Sequence, residues 1–271
     1  MVSVATIVCI VISMLVSLAL PVVLLAVFAV KCKKQGILPA WLLGAAGFFV
    51  TQILIRLPIL TALQSQSWFQ SLANNHLVVY GFGLAFTAGL FELAGRFVVA
   101  KILHKKQLNF NRSLAAGLGH GGIEAMVITG IAMINNLAYV AMINNGTFDE
   151  ALAITASAGV DVNQFLLIKE QLLTTSPALF LLGGLERILA MTAHVAMTML
   201  VCYGVAHKKV LPCILVCLGI HTFIDFTAVV TMILPQTAAY IIVYAILIAV
   251  AATSLWIVRE LRHRWNKEVL L

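Results

Sequence analysis

Seven apolar runs recur along this chain, at residues 4–30, 38–60, 77–100, 113–135, 177–206, 210–234 and 237–258. An α-helix rises 1.5 Å per residue, so about 20 residues cross the roughly 30 Å hydrocarbon core of a bilayer, and each run is long enough. Backbone polar groups inside lipid must be satisfied within the segment, which makes each run a helix. The sequence therefore predicts an all-α, polytopic membrane protein with seven transmembrane helices. Of the 271 residues, 62% are hydrophobic and only 10% charged, and the mean hydropathy is +1.05, more apolar surface than one water-soluble core can hide. The first run has neither a charged leading region nor a small-residue cleavage pattern, so it is read as a span and not as a signal peptide.

The basic residues give the orientation. Lys31, Lys33 and Lys34 follow the first run, and Lys101, Lys105, Lys106 and Arg112 the third. Lys208 and Lys209 follow the fifth, and Arg259, Arg262, Arg264 and Lys267 the seventh. All thirteen fall on one side, whereas segments 61–76 and 136–176 on the other side hold a single lysine, Lys169, among Asp149, Glu150, Asp161 and Glu170. The positive-inside rule then predicts the N-terminus outside and the C-terminus inside. The net charge of +7 is spent on this pattern, and a nucleic-acid partner is not expected. No polar stretch approaches the roughly 50 residues of a separate domain. Residues 1–271 are therefore read as one transmembrane helical domain, with 136–176 an external cap carrying a short amphipathic helix near 162–173 and 259–271 a cytosolic tail. Segment 61–76, with Trp68 and Phe69 among glutamines, is placed at the outer interface. The five cysteines form no CxxC pair and reveal no compartment.

Once loops and tail are set aside, Arg56, Glu92, Arg96, Glu124, Glu186, Arg187 and Asp225 remain inside the apolar runs, with His120, His194 and His221. Each such group costs a few kcal/mol at membrane depth and needs a partner, water or a ligand. Counting the helical rise from the inner ends of the fourth, fifth and sixth runs puts His120 roughly 10 Å deep and Glu124, His194 and His221 roughly 16–18 Å deep. Pairs four residues apart share a helix face: Glu92 with Arg96, His120 with Glu124, His221 with Asp225. Arg56, near the outer end of the second run, is expected to snorkel. Glu186 and Arg187, neighbours about 100° apart, are expected to face different partners, and Arg187, seven residues before His194, is a candidate for binding a substrate carbonyl or carboxylate.

Three imidazoles in one layer are a candidate zinc site, His120, His194 and His221 holding Zn2+ and leaving a position for water. A nearby Glu124 would then serve as general base. The bland readings stand beside this one. A lone membrane histidine is a packing residue, Glu92 with Arg96 is a buried ion pair, and Cys213 and Cys217, though spaced by four with His221, are small hydrophobes. Gly117, Gly119, Gly121 and Gly122 surround His120, and that pattern serves close helix packing or admits a substrate backbone.

The stretches Phe91-Glu92-Leu93-Ala94-Gly95-Arg96, Gly117 to Glu124, Leu185-Glu186-Arg187 with His194, and His221-Thr222-Phe223-Ile224-Asp225 resemble the YhfC family of intramembrane metalloproteases. The resemblance covers the third to sixth runs, with looser similarity over nearly the whole chain. That family is related to the CAAX-processing and bacteriocin-processing type II proteases, to the PrsW proteases and to the multi-pass scaffold subunit of gamma-secretase. It implies a CAAX-protease-like helical bundle. In the CAAX relatives a Glu-Glu-x-x-x-Arg, a Phe-x-x-x-His and a His-x-x-x-Asn activate water for peptide-bond hydrolysis. By that comparison His120 and His221 match the two histidines, Asp225 takes the Asn place, and Glu92 with Arg96 matches the rest of the first motif. Phe91 stands where the first glutamate would be.

The resulting expectation is an intramembrane protease of the bacterial plasma membrane, acting on a membrane protein or peptide. Glu124, His120, His221, Glu92 and Arg96 are its catalytic candidates, Arg187, Asp225, Gly121 and Gly122 its substrate-binding candidates, and His120, His194 and His221 its zinc ligands. The alternative is a non-catalytic scaffold subunit inside a membrane-protein complex, resembling the gamma-secretase subunit. A transporter and a haem protein are more distant rivals.

Overall fold

A computed structural model describes residues 1–32, 35–106, 108–159 and 161–268. Lys33 and Lys34 of the basic series, and the side chain of Lys267, lie outside what is described. Every regular element among the described residues is helical. Seven helices are long and apolar enough to span a membrane: Val4–Lys31, Ile37–Gln64, Leu77–His104, Phe110–Asn145, Pro177–Ala206, Val210–Ile233 and Gln236–Trp265. The chain is an integral, multi-pass membrane protein. Several spans outrun their apolar runs, because the hydrogen-bond ladder carries a helix past the last apolar residue until something ends it. The fourth span, expected to stop near 135, continues to Asn145 and ends where Gly146 takes a left-handed φ of 83°. The seventh helix reaches Glu268, so most of the expected tail is helical. The fifth starts at Pro177, where a proline lacking N–H removes one of the helix's unpaired donors.

Two short helices, Phe148–Ser157 and Asn163–Thr174, make up most of the segment read as a cap, the second matching the amphipathic helix expected there. Another, Ser67–Asn75, lies in the segment with Trp68 and Phe69.

The contacts divide the chain into two compact units. The first comprises Met1–Val22 and Ala125–Ile188. Its core joins Val2, Ile10, Val140 and Leu172. Ser13 Oγ donates to Phe180 O at 2.5 Å, and Val2 N to Asn144 Oδ1 at 2.7 Å.

The second unit comprises Val23–Glu124 and Leu189–Leu271. Its largest core cluster is built on the fifth span, from Ala193 to Val205, packed on Leu93, Ala100, Cys217, Ile257 and Leu261. That span has 72% of its most apolar window buried, against 39% or less for the other six. It is the most buried of the seven. Glycines let the neighbouring backbones close in. A Cβ at Gly119 would stand 1.9 Å from Trp41 O, and one at Gly95 would stand 2.6 Å from Gly47 O. Second, third and fourth spans are thus drawn into backbone contact at the level of the polar residues.

Candidate functional site

The third span carries Glu92 and Arg96 one turn apart, 4% and 1% exposed. Arg96 Nη2 donates to Glu92 Oε2 at 2.9 Å. This pair is the buried ion pair the spacing suggests, but neither partner stops there. Glu92 Oε2 also lies 2.8 Å from His120 Nε2 and 3.5 Å from His194 Nδ1. Its other oxygen accepts from Gln52 Nε2 at 2.7 Å and lies 3.6 Å from His221 Nε2. Arg96 Nη2 meets His194 Nδ1 at 2.6 Å and Nη1 meets His221 Nδ1 at 3.4 Å. Four spans of the second unit thus converge on one carboxylate and one guanidinium.

The imidazoles lie close together. His120 and His194 stack with ring centroids 5.4 Å apart, and His194 meets His221 edge-on at 5.5 Å. Phe48 meets His120 edge-on, with ring centroids 5.4 Å apart. A guanidinium has donors only, so Nδ1 of His194 and of His221 must accept, and each ring's proton belongs on Nε2. Those Nε2 atoms face carboxylates. His194 Nε2 is 2.7 Å from Glu124 Oε2, and His221 Nε2 is 3.2 Å from Asp225 Oδ2. Asp225 is the most open of the group, its side chain 36% exposed against 12% for Glu124. Three carboxylates, Glu92, Glu124 and Asp225, thus lie among the imidazoles, with Arg96 at the centre and a second guanidinium, Arg56, beside Gln52 as counter-charges.

The cation-holding set differs from the three imidazoles expected. Glu92, His194 and His221 each offer one ligand atom, and these atoms lie within 4.8 Å of one another. His120 turns its Nε2 to Glu92 instead. Counting residues gives depth but not azimuth, and the carboxylate of the third span reaches the centre that the count assigned to His120. Two imidazoles and a carboxylate are the donor set of one class of catalytic zinc site, so the residues present fit a divalent metal. Among the described residues no cysteine belongs to that set, and Cys217 is fully buried in the core.

Other expectations are corrected. Arg56 does not snorkel. It donates to Leu84 O at 2.7 Å and to Gln52 Oε1 at 3.3 Å, because a carbonyl and an amide oxygen within reach compete with the membrane surface. Glu186 and Arg187 do not face apart but pair with each other, their long side chains bridging the 100° between them. Both belong to the first unit. The space expected for a substrate backbone is filled by protein around Gly117, Gly119 and Gly121. A Cβ at Gly117 would be 2.7 Å from Val195 Cα, and one at Gly121 would be 3.0 Å from His194 Cβ. These glycines let the fourth and fifth spans approach, and that approach brings His194 to the other polar groups.

Gln52 is the residue the sequence reading passed over. It lies in a π-helical stretch, Phe49–Arg56, where the wider turn reorients the side chains that follow. Its amide donates to Ala88 O at 3.2 Å as well as to Glu92, linking two spans. A glutamine inside an apolar run was the available signal, eclipsed by the charged residues. A second π stretch, Ala125–Gly130, begins directly after Glu124.

A family model described as YhfC intramembrane metalloprotease matches residues 16–250. An uncharacterized membrane protein YhfC of Bacillus subtilis (strain 168) is 32% identical over 265 residues, covering 97% of this chain and 99% of the relative. No solved structure matches the chain. Both similarities agree with the resemblance carried by the motifs on the third to sixth spans.

Proposed function

Because the chain belongs to the YhfC intramembrane metalloprotease family, we propose that it is an intramembrane endopeptidase of the bacterial plasma membrane. It hydrolyses a peptide bond of a membrane or membrane-proximal substrate. The observation that carries this reading is the meeting of Glu92, His194 and His221 from three spans, with Glu124 set on the outer nitrogen of His194. A divalent metal, zinc by the donor set, would be held by Glu92, His194 and His221 and would polarise the scissile carbonyl and acidify a water.

The protein's own groups then divide the work. Both Glu92 oxygens are engaged, one by Gln52 and the other by Arg96 and His120, so Glu92 holds charge and position and is not free to take a proton. Glu124 is the general base, its carboxylate oriented by the Nε2–H of His194 at 2.7 Å. Asp225 fixes the tautomer of His221. Its partial exposure makes it the member nearest to arriving substrate. The polar groups of an unwound substrate backbone would be met by these buried donors and acceptors, which lipid cannot supply. With the basic ends toward the cytosol, the C-terminus is inside.

The test is cleavage by the purified chain in proteoliposomes holding a library of single-span peptides, read by mass spectrometry. Products are expected with the natural protein and are expected to vanish in Glu124→Gln and His221→Ala. Full cleavage by Glu124→Gln removes it as the base. One observation favours the scaffold reading, the saturation of Glu92 by protein donors. If no product forms and a stable partner co-purifies, that reading takes over.

A further inference from the structure

The guanidinium of Arg96 touches the same three residues that make up the cation-holding set. It lies 2.9 Å from Glu92 Oε2, 2.6 Å from His194 Nδ1 and 3.4 Å from His221 Nδ1. These are the contacts a divalent cation would seek, a carboxylate oxygen and two imidazole lone pairs. A guanidinium and a metal ion at one seat repel each other and compete for the same lone pairs. We propose that Arg96 and a divalent metal are alternative occupants of the seat formed by Glu92, His194 and His221. Metal entry therefore requires the Arg96 side chain to swing away.

Two further features fit an exchange. Arg96 Nε is buried and has no hydrogen-bond partner among the described residues, so the guanidinium spends its two terminal nitrogens on the seat and leaves a donor unsatisfied. The Nε2 atoms of both rings already face carboxylates, that of His194 toward Glu124 and that of His221 toward Asp225 at 3.2 Å, with Glu92 Oε1 at 3.6 Å. That is the arrangement in which a ring's inner nitrogen is presented to a metal. The seat is thus formed and oriented with the arginine in it. The consequence is regulation: the site carries its own counter-ion, stays neutralised inside the membrane without metal, and takes metal only at the cost of expelling that ion. This inference rests on the metal part of the proposed function and is independent of whether peptides are cleaved.

The experiment is a Zn2+ titration of the full-length protein in detergent against a fluorescent chelator, with stoichiometry by mass spectrometry. Arg96→Met removes the competing cation and is expected to bind Zn2+ about tenfold more tightly than the natural protein, or better. Arg96→Lys, which cannot bridge both rings, is expected to fall between them. Glu92→Gln is expected to abolish binding in either background. Thermal unfolding guards against misfolding. Arg96→Met is expected to unfold at a lower temperature than the natural protein without Zn2+, and Zn2+ is expected to raise that temperature more than it does for the natural protein.

Affinity unchanged or weakened in both Arg96 variants overturns the exchange, as does Zn2+ binding that survives Glu92→Gln. Absence of Zn2+ binding in every variant overturns it too. Zn2+ taken up by Arg96→Met but not by the natural protein supports the exchange while defeating the metal part of the proposed function. Zn2+ binding by the natural protein that tightens in Arg96→Met, with no cleavage of any peptide, supports the exchange and defeats only the proteolytic reading.

Discussion

The two compact units handle polarity in opposite ways. Among the described residues, the side chains buried in the first unit include the hydroxyls Thr6, Ser13 and Ser17, and its ionisable groups stand as separate pairs, Lys169 with Asp149 exposed and Arg187 with Glu186 half-buried. The second unit buries Glu92, Arg96, His120, Glu124, His194 and His221 together. Hydroxyls can satisfy themselves on a neighbouring carbonyl, as Ser13 does on Phe180. Buried charges cannot, and they persist only where each has a partner. The first unit therefore keeps its charges as isolated pairs, whereas the second gathers its ionisable groups into one buried network.

The sharpest way to break this contrast is to remove the hub. Glu92→Ala leaves the Arg96 guanidinium buried without its carboxylate and is expected to cost about 3–5 kcal/mol in chemical denaturation of the detergent-solubilised protein. A loss under about 1 kcal/mol would mean that the network does not hold the second unit together. Next comes close helix approach. Gly119→Ala would set a Cβ against Trp41 O, and is expected to destabilise by about 1–3 kcal/mol. The same change at Gly183, where nothing lies within 4 Å, is expected to stabilise the helix by up to about 1 kcal/mol. Similar effects at both would show that the glycines act through helix propensity alone. The smallest effect is expected in the first unit. Lys169→Met removes an exposed ion pair with Asp149 and should shift stability by no more than about 0.5 kcal/mol, and less at high salt.

Much of this was legible before any coordinates. The seven spans follow from run length, since each apolar run must be a helix in lipid. The ionisable residues marked a site, because charge at membrane depth is costly and is kept only for a reason. Spacing by four correctly paired Glu92 with Arg96 and His221 with Asp225. It failed for Arg56, whose choice between Leu84 O and the membrane surface depends on a neighbouring helix. It failed also for Glu186 and Arg187, where side-chain length overcomes the angle between adjacent residues. Gln52 escaped notice because its role depends on a π-helical turn that no periodicity announces.

The glycines around His120 show where the boundary lies. Their spacing revealed that something approaches closely, but not what approaches. Val195, Trp41 and His194 fill that space, and only the packing of the second, fourth and fifth spans decides so. The sequence by itself determined the class, the spans and the inventory of buried charges, because these depend on transfer of single segments between water and lipid. The tertiary structure alone decided that Glu92 gathers with His194 and His221 while His120 turns to Glu92, and that the Arg96 guanidinium touches all three, because side-chain direction around a helix axis is set by neighbouring helices and not by distance along the chain.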